Sequence, residues 1–362
     1  MGEASRLPQP RPHRVHSHQS TAIPYLQATA PAVSSYSFTL SVRRPAPIPS
    51  LRVSRSRRRA AMSAAAGSSS STIGVSDATA ANALSLESVG QNDLLIVGPG
   101  VLGRIVAEMW KQVTTDAPEE YPGCKIYGQT ATADHHGELA EIGIIPSLKG
   151  SIMGPKFSYV IFCAPPYRSE DYVGDLRVAA SNWNGEGCFL FTSSTAVYDC
   201  SDNGLCSEDS PCVPIGQSPR TDVLLKAENV VLEAGGCVLR LVGLYKSDRG
   251  PHVYWLSKGT LDARPDHILN LIHYEDAASL AIAIMNKRLR SRIFVGCDNE
   301  PLSRQEIMDR VNRSGKFDTE FQGFTGTDGP LGKRMENSKT RAEIGWQPKY
   351  PSFTEFLGLS NL

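Results

Sequence analysis

The chain has 362 residues, 41% apolar and 20% charged, and its 37 basic and 37 acidic side chains cancel to a formal net charge of zero. Such a composition supports a packed core in one large or two modest domains and excludes wholesale disorder. No run approaches the roughly 18 consecutive apolar residues of a membrane-spanning helix, and the neutral total disfavours nucleic acid as a partner.

That total conceals an asymmetry. Residues 1–76 hold ten Arg, no Lys and the single acid Glu3, a balance of +9, which leaves 27 basic and 36 acidic residues, or −9, for the remainder. An Arg- and Ser-rich, acid-poor leader reads as an organelle transit peptide. Arg57-Arg58-Arg59, an Ala-rich stretch and a Gly/Ser run at 67–72 mark 1–75 as transit peptide and linker. The leader has no apolar segment behind a charged start, which disfavours secretion. Its Ser and Thr favour the chloroplast over the mitochondrion. An RNA-binding arm is the alternative, but scattered Arg make a poor basic patch.

After Asp77, strands and helices alternate. Strand-sized apolar runs occupy 93–97, 125–127, 142–145, 159–164, 188–192, 238–242 and 293–296. Helical periodicity appears at about 101–113, 169–183, 219–234 and 275–287, the first with Leu102, Ile105, Val106 and Met109 on one face. This alternation predicts an α/β fold, a doubly wound parallel sheet with helices on both faces. The unbroken run Val160-Ile161-Phe162-Cys163-Ala164 suits a strand buried on both sides. Ser303 and Glu306 form a capping box for a helix ending near Gly315.

Gly98-Pro99-Gly100-Val101-Leu102-Gly103 fits G-x-G-x-x-G between a predicted strand and a predicted helix, the context of a Rossmann dinucleotide fingerprint. Gly98 permits the tight turn, Gly100 lets the backbone approach a pyrophosphate, and Gly103 allows close packing of helix on strand. Val101 and Leu102 open the helix whose free N–H groups would face the anion. The second strand continues Tyr127-Gly128-Gln129-Thr130-Ala131-Thr132, with no carboxylate for a ribose 2′-hydroxyl; Asp134 comes late. Without that acid a 2′-phosphate is not repelled, and Gln129, Thr130 and Thr132 offer hydrogen bonds. NADP is therefore expected ahead of NAD, although no Arg completes the site. Ala164, Pro165 and Pro166 are expected to shape the loop on the adenine side.

Further motifs carry a resemblance. Phe191-Thr192-Ser193-Ser194-Thr195-Ala196-Val197-Tyr198 follows a strand. Leu239-Arg240-Leu241-Val242-Gly243-Leu244-Tyr245, then Asn270-Leu271-Ile272-His273-Tyr274-Glu275-Asp276 and Gly345-Trp346-Gln347-Pro348, follow in order. Over 92–358 the chain resembles the extended short-chain dehydrogenase/reductase superfamily, the NAD-dependent epimerase/dehydratase relatives, and the resemblance implies a Rossmann domain at 92–245 and a small substrate lobe at 246–358, with the strand near 292–297 returning to the sheet. The resemblance implies that Ser194 lies beside the substrate oxygen and that Lys226 binds nicotinamide ribose within a Tyr-x-x-x-Lys pair. Here Asp222 stands at the Tyr position. A phenol starts near pKa ~10 and a cation lowers it usefully, whereas an Asp starts near ~3.9 and the same cation fixes it as a carboxylate. Asp222 and Lys226, four apart, are expected to form an ion pair, with Asp222 or the Tyr198 hydroxyl as alternative proton donors. Val97 ahead of Gly98 also departs from the usual G-x-x-G-x-x-G, and both changes resemble atypical members of the superfamily.

The function implied is an NAD(P)-binding oxidoreductase or epimerase/dehydratase acting on an unidentified small molecule. The alternative is a non-catalytic dinucleotide-binding redox sensor or scaffold. An RNA-associated protein is disfavoured by the −9 balance. His135-His136 lacks partners at metal-ligand spacing, so no metal site is expected. Eight Cys include no C-x-x-C pair, though Cys200, Cys206 and Cys212 recur every six residues.

Overall fold

Seven parallel strands form the central sheet: β1 Leu94–Val97, β2 Ile126–Thr130, β3 Ile144–Leu148, β4 Phe157–Phe162, β5 Trp183–Ser194, β6 Cys237–Leu241 and β7 Ile293–Gly296. Their spatial order is β3-β2-β1-β4-β5-β6-β7. The doubly wound α/β expectation is met. The computed structural model describes residues 84–85, 88–116 and 123–359, and the expected leader at 1–75 lies outside them.

Every residue of β1 and of β4 is buried, which is why neither shows a polar alternation: helices cover both faces. On one face lie α1 (Val101–Asp116) and α6 (Tyr274–Lys287), where Val106 and Trp110 join Leu280 and Ile284 in one apolar cluster. On the other lie α3 (Tyr172–Ser181) and α4 (Pro219–Glu233), where Leu176, Leu224 and Val231 pack with Val160 and Phe189. A short α2 (His136–Glu141) precedes β3; six residues are too few to show a helical period.

The C-terminal part holds α5 (Pro251–Lys258), α7 (Arg304–Ser314), α8 (Ser338–Ile344) and α9 (Phe353–Phe356). Tyr245, Trp255, Ile307 and Phe353 form its own core. The Ser303/Glu306 capping box is present, and α7 ends at Gly315 with φ 61°. One feature differs from the expected division at residue 246. Both α6 and β7 belong to the sheet layers, not β7 alone, because the apolar face of α6 packs beside α1. No helix among the described residues is long and apolar enough to cross a membrane.

Candidate functional site

β1 and β4 are neighbours at the point where the strand order reverses. In open α/β sheets a ligand crevice opens there, beyond the carboxyl ends of the strands. The turn leaving β1 is built around three glycines with different reasons to be glycine. Gly98 has φ 79°, and a Cβ on it would lie 2.6 Å from the Ala164 backbone. At Gly103 a Cβ would lie 3.0 Å from Ile96 Cγ2, so α1 packs tightly on β1. Gly100 is different: a Cβ there would meet only the Gly98 carbonyl oxygen, at 4.0 Å. Nothing in the protein's own packing requires a glycine at 100. Val101 is half-buried at the start of α1, while Leu102 is buried in the core beneath. Across the crevice Ala164 and Pro165 are half-buried, and the Tyr172 hydroxyl donates to the Ala164 carbonyl at 2.8 Å, fixing that loop.

At the tip of β2 the expected hydrogen-bond donors have partners of their own, except the buried Gln129 amide nitrogen. Gln129 is buried, pointing to the same side as Tyr127 because side chains alternate along a strand. The Thr130 hydroxyl donates to the Thr132 carbonyl at 2.7 Å and is 2.7 Å from His136 Nε2, so the turn itself engages it. Thr132 donates to Asp134 at 3.0 Å. In their place the tertiary structure brings Arg104 from α1. Its Nε donates to the Pro99 carbonyl at 3.4 Å and its Nη2 to Glu138 at 2.9 Å. His135 Nδ1 approaches the other Glu138 oxygen at 3.1 Å. These partners, His135 and then Arg104, hold the Glu138 carboxyl below the usual carboxylate range.

At the end of β5, Ser194 is half-buried and its Oγ accepts the Ala196 N–H at 3.1 Å, capping a short 3-10 turn at Thr195–Val197. Its neighbour Ser193 points to the opposite side and donates to Glu228 Oε1 at 2.5 Å. Glu228 in turn accepts Nε and Nη2 of Arg240, the closest at 2.7 Å. Lys333, from the C-terminal part, donates to the Thr195 and Tyr198 carbonyls at 3.1 and 2.8 Å, clamping the turn. Sequence reasoning assigned no role to Arg104, Glu138, Glu228 or Lys333, whose partners lie 5 to 138 residues away in the chain.

Tyr198, Asp222 and Lys226 have other surroundings than their spacing implied. Tyr198 is 2% exposed, donates to the Glu208 carbonyl at 3.3 Å and lies under the Arg240 guanidinium. Burial raises its pKa against the pull of Arg240, and its hydroxyl is committed to the Glu208 carbonyl. Asp222 accepts the Gly216 N–H with both oxygens at 3.0 Å and forms no ion pair with Lys226. Lys226 is exposed. The buried face of α4 is Thr221, Leu224, Ala227, Glu228 and Val231, and Lys226 lies about 200° around the helix from Leu224 and Glu228. Leu224, Ala227 and Val231 pack into the core on that face, and Glu228 meets Arg240 there.

At the other side of the crevice Arg249 is exposed and hydrogen-bonds Tyr274, the first residue of α6. All eight cysteines are free thiols. Cys200, Cys206 and Cys212 gather around Tyr198 and Met335, where burial pushes the Cys206 and Cys212 thiols up. Among the described residues no cluster of three or more His, Cys, Asp or Glu could hold a metal.

No family model and no curated protein matches the sequence. Solved structures do. A functionally unknown conserved protein from Silicibacter pomeroyi DSS is 20% identical, with TM-score 0.59, over 74% of this chain and 97% of that one. A putative NAD-dependent epimerase/dehydratase from Methylobacillus flagellatus is 22% identical over the same shares, with TM-score 0.56. UDP-glucose 4-epimerase from Thermotoga maritima, solved with UDP-glucose, is 13% identical over 74% and 97%, with TM-score 0.55. This chain has the epimerase/dehydratase fold. Within that fold, its Gly98–Gly103 turn lies at the switch point and its α4 presents neither Tyr nor Lys on the buried face.

Proposed function

We propose that the chain binds a nicotinamide dinucleotide at the Gly98–Gly103 turn, NADP ahead of NAD, and acts as an oxidoreductase or epimerase-type enzyme on a small molecule. One observation carries the reading: the missing side chain at Gly100 leaves an open cradle at the switch point that the protein's own packing does not use. The first N–H groups of α1 and its positive end suit a pyrophosphate there. A bound nicotinamide would supply or accept a hydride. Ser194 would hold the substrate oxygen, kept in place by the turn that Lys333 clamps. Ala164 and Pro165 would wall the crevice. The proton-transfer group would come from elsewhere, since Asp222 is taken up by the Gly216 N–H and Tyr198 is enclosed.

The α4 face also favours a second reading, a dinucleotide-binding sensor or scaffold without chemistry. Titration of the chain with NADPH, NADP, NADH and NAD, followed by nicotinamide fluorescence, tests both. Saturable binding that Gly100→Val abolishes is expected, because a side chain would fill the approach of the pyrophosphate. Wild-type-like binding by Gly100→Val refutes the site. Binding without turnover across carbonyl compounds and nucleotide sugars favours the sensor. On composition, residues 1–75 act in this reading as a chloroplast transit peptide; an intact Met1 on protein recovered from plastids would refute that.

A further inference from the structure

The dinucleotide reading leaves open which group at the β2 tip distinguishes a 2′-phosphate from a 2′-hydroxyl. The strand tip supplies no charged group: the Thr130 and Thr132 hydroxyls are engaged within the turn, and Gln129 is buried with its Nε2 unpartnered, a neutral donor that cannot match the charge of a phosphate. We propose that Arg104 is the residue that selects a 2′-phosphorylated cofactor, and that Glu138 occupies its guanidinium until the phosphate replaces it. This rests on the dinucleotide reading and deepens it.

Four observations support the assignment. Arg104 follows Gly103 directly, so its side chain starts one residue beyond the fingerprint. Its Nε is tethered to the Pro99 carbonyl inside the turn, 3.4 Å away, while the guanidinium reaches Glu138 on α2. Nη2 is already bound to an anionic oxygen, Glu138 Oε2 at 2.9 Å, so the group is oriented to receive one. Nη1 has no hydrogen bond among the described residues. A planar guanidinium with free donors matches phosphate oxygens two at a time, which an ammonium does not.

Glu138 is the displaceable member. Its side chain is 56% exposed against 35% for Arg104, and its other oxygen is held only by His135, itself 66% exposed. Surface pairs of this kind are worth little, so the carboxylate can rotate into water when a more highly charged phosphate arrives. His135, released with it, adds a second donor at the same place. While Glu138 stays near, its charge opposes the phosphate. Its removal should therefore favour NADP.

The test is titration of the full chain with NADPH and with NADH, each followed by nicotinamide fluorescence. Arg104→Gln should weaken NADPH about tenfold to a hundredfold, the worth of a charge-assisted hydrogen bond, and leave NADH within about twofold. Glu138→Gln should strengthen NADPH and leave NADH unchanged. The inference is overturned if Arg104→Gln weakens both cofactors equally or neither. It is also overturned if Glu138→Gln weakens NADH, for Glu138 would then be the acid that holds a ribose hydroxyl. Failure of the wild-type chain to bind either cofactor is a different result, because it removes the dinucleotide reading itself.

Discussion

The buried pair Glu228–Arg240 offers the sharpest test of how this site is held. The two side chains are 2% and 5% exposed, and the carboxylate takes three N–H contacts from Arg240, at 3.1, 3.2 and 2.7 Å, plus the Ser193 hydroxyl. Glu228→Leu strands a guanidinium against the Tyr198 ring; Arg240→Met strands a carboxylate with one hydroxyl for company. Removing one member of a buried pair costs about 3–5 kcal/mol. For a folded unit of this size that lowers the thermal midpoint by on the order of 10 °C. The double variant removes both charges together and leaves uncharged groups without these partners, the Ser193 hydroxyl and the Tyr198 and Cys212 side chains that Arg240 also meets, so it should lie within about 2 kcal/mol of wild type. Urea unfolding followed by far-UV circular dichroism gives all four stabilities of the cycle. If the double variant costs the sum of the singles, or each single costs under about 1 kcal/mol, the pair does not act as one unit and the reasoning fails. Because Ser193 adjoins Ser194, the single variants should also disturb the Ser194 turn.

Other outcomes follow from the same structure. Gly98→Ala should destabilise the fold itself, since φ 79° and the 2.6 Å approach to Ala164 both reject a Cβ; unchanged thermal stability would contradict the turn geometry. Lys226→Met should leave dinucleotide affinity unchanged, and a tenfold loss by titration would return the lysine to the cofactor site. Tyr198→Phe should leave any turnover intact while lowering stability by about 1 kcal/mol, the worth of its buried hydrogen bond to Glu208. Burial pushes His252 down to about 4. The unfolded chain, with an ordinary histidine near 6.5, therefore takes up the proton first. Stability from this group is present above about pH 6.5 and is lost as pH falls toward 4. Between pH 7 and 5 the wild type should lose about 2 kcal/mol more than His252→Gln. Equal losses in paired denaturant titrations would show that His252 is not held neutral.

The alternation of strands and helices, the Gly98–Gly103 turn and the Ser303/Glu306 cap were legible in the sequence because each is a local matter. Burial on both faces writes an apolar run into β4, and a tight turn writes Gly at position 98, whatever lies elsewhere in the chain. The site side chains were not legible in the same way. Lys226 is four residues from Asp222 by spacing, yet a helix rotates as one body, and the apolar face of α4 packs into the core so that Glu228 meets Arg240 on β6 and Lys226 faces water. Tyr198 follows the Ser block in sequence and is nonetheless enclosed, because the segment ending at Glu208 folds back over its hydroxyl. The β2 tip read as lacking both an acid and an Arg, while Glu138 from α2 and Arg104 from α1 meet there across 34 residues of chain. Which ionisable groups meet depends on how helices rotate and pack against the sheet, and a pairing of distant residues leaves no periodicity in the chain for a reader to find.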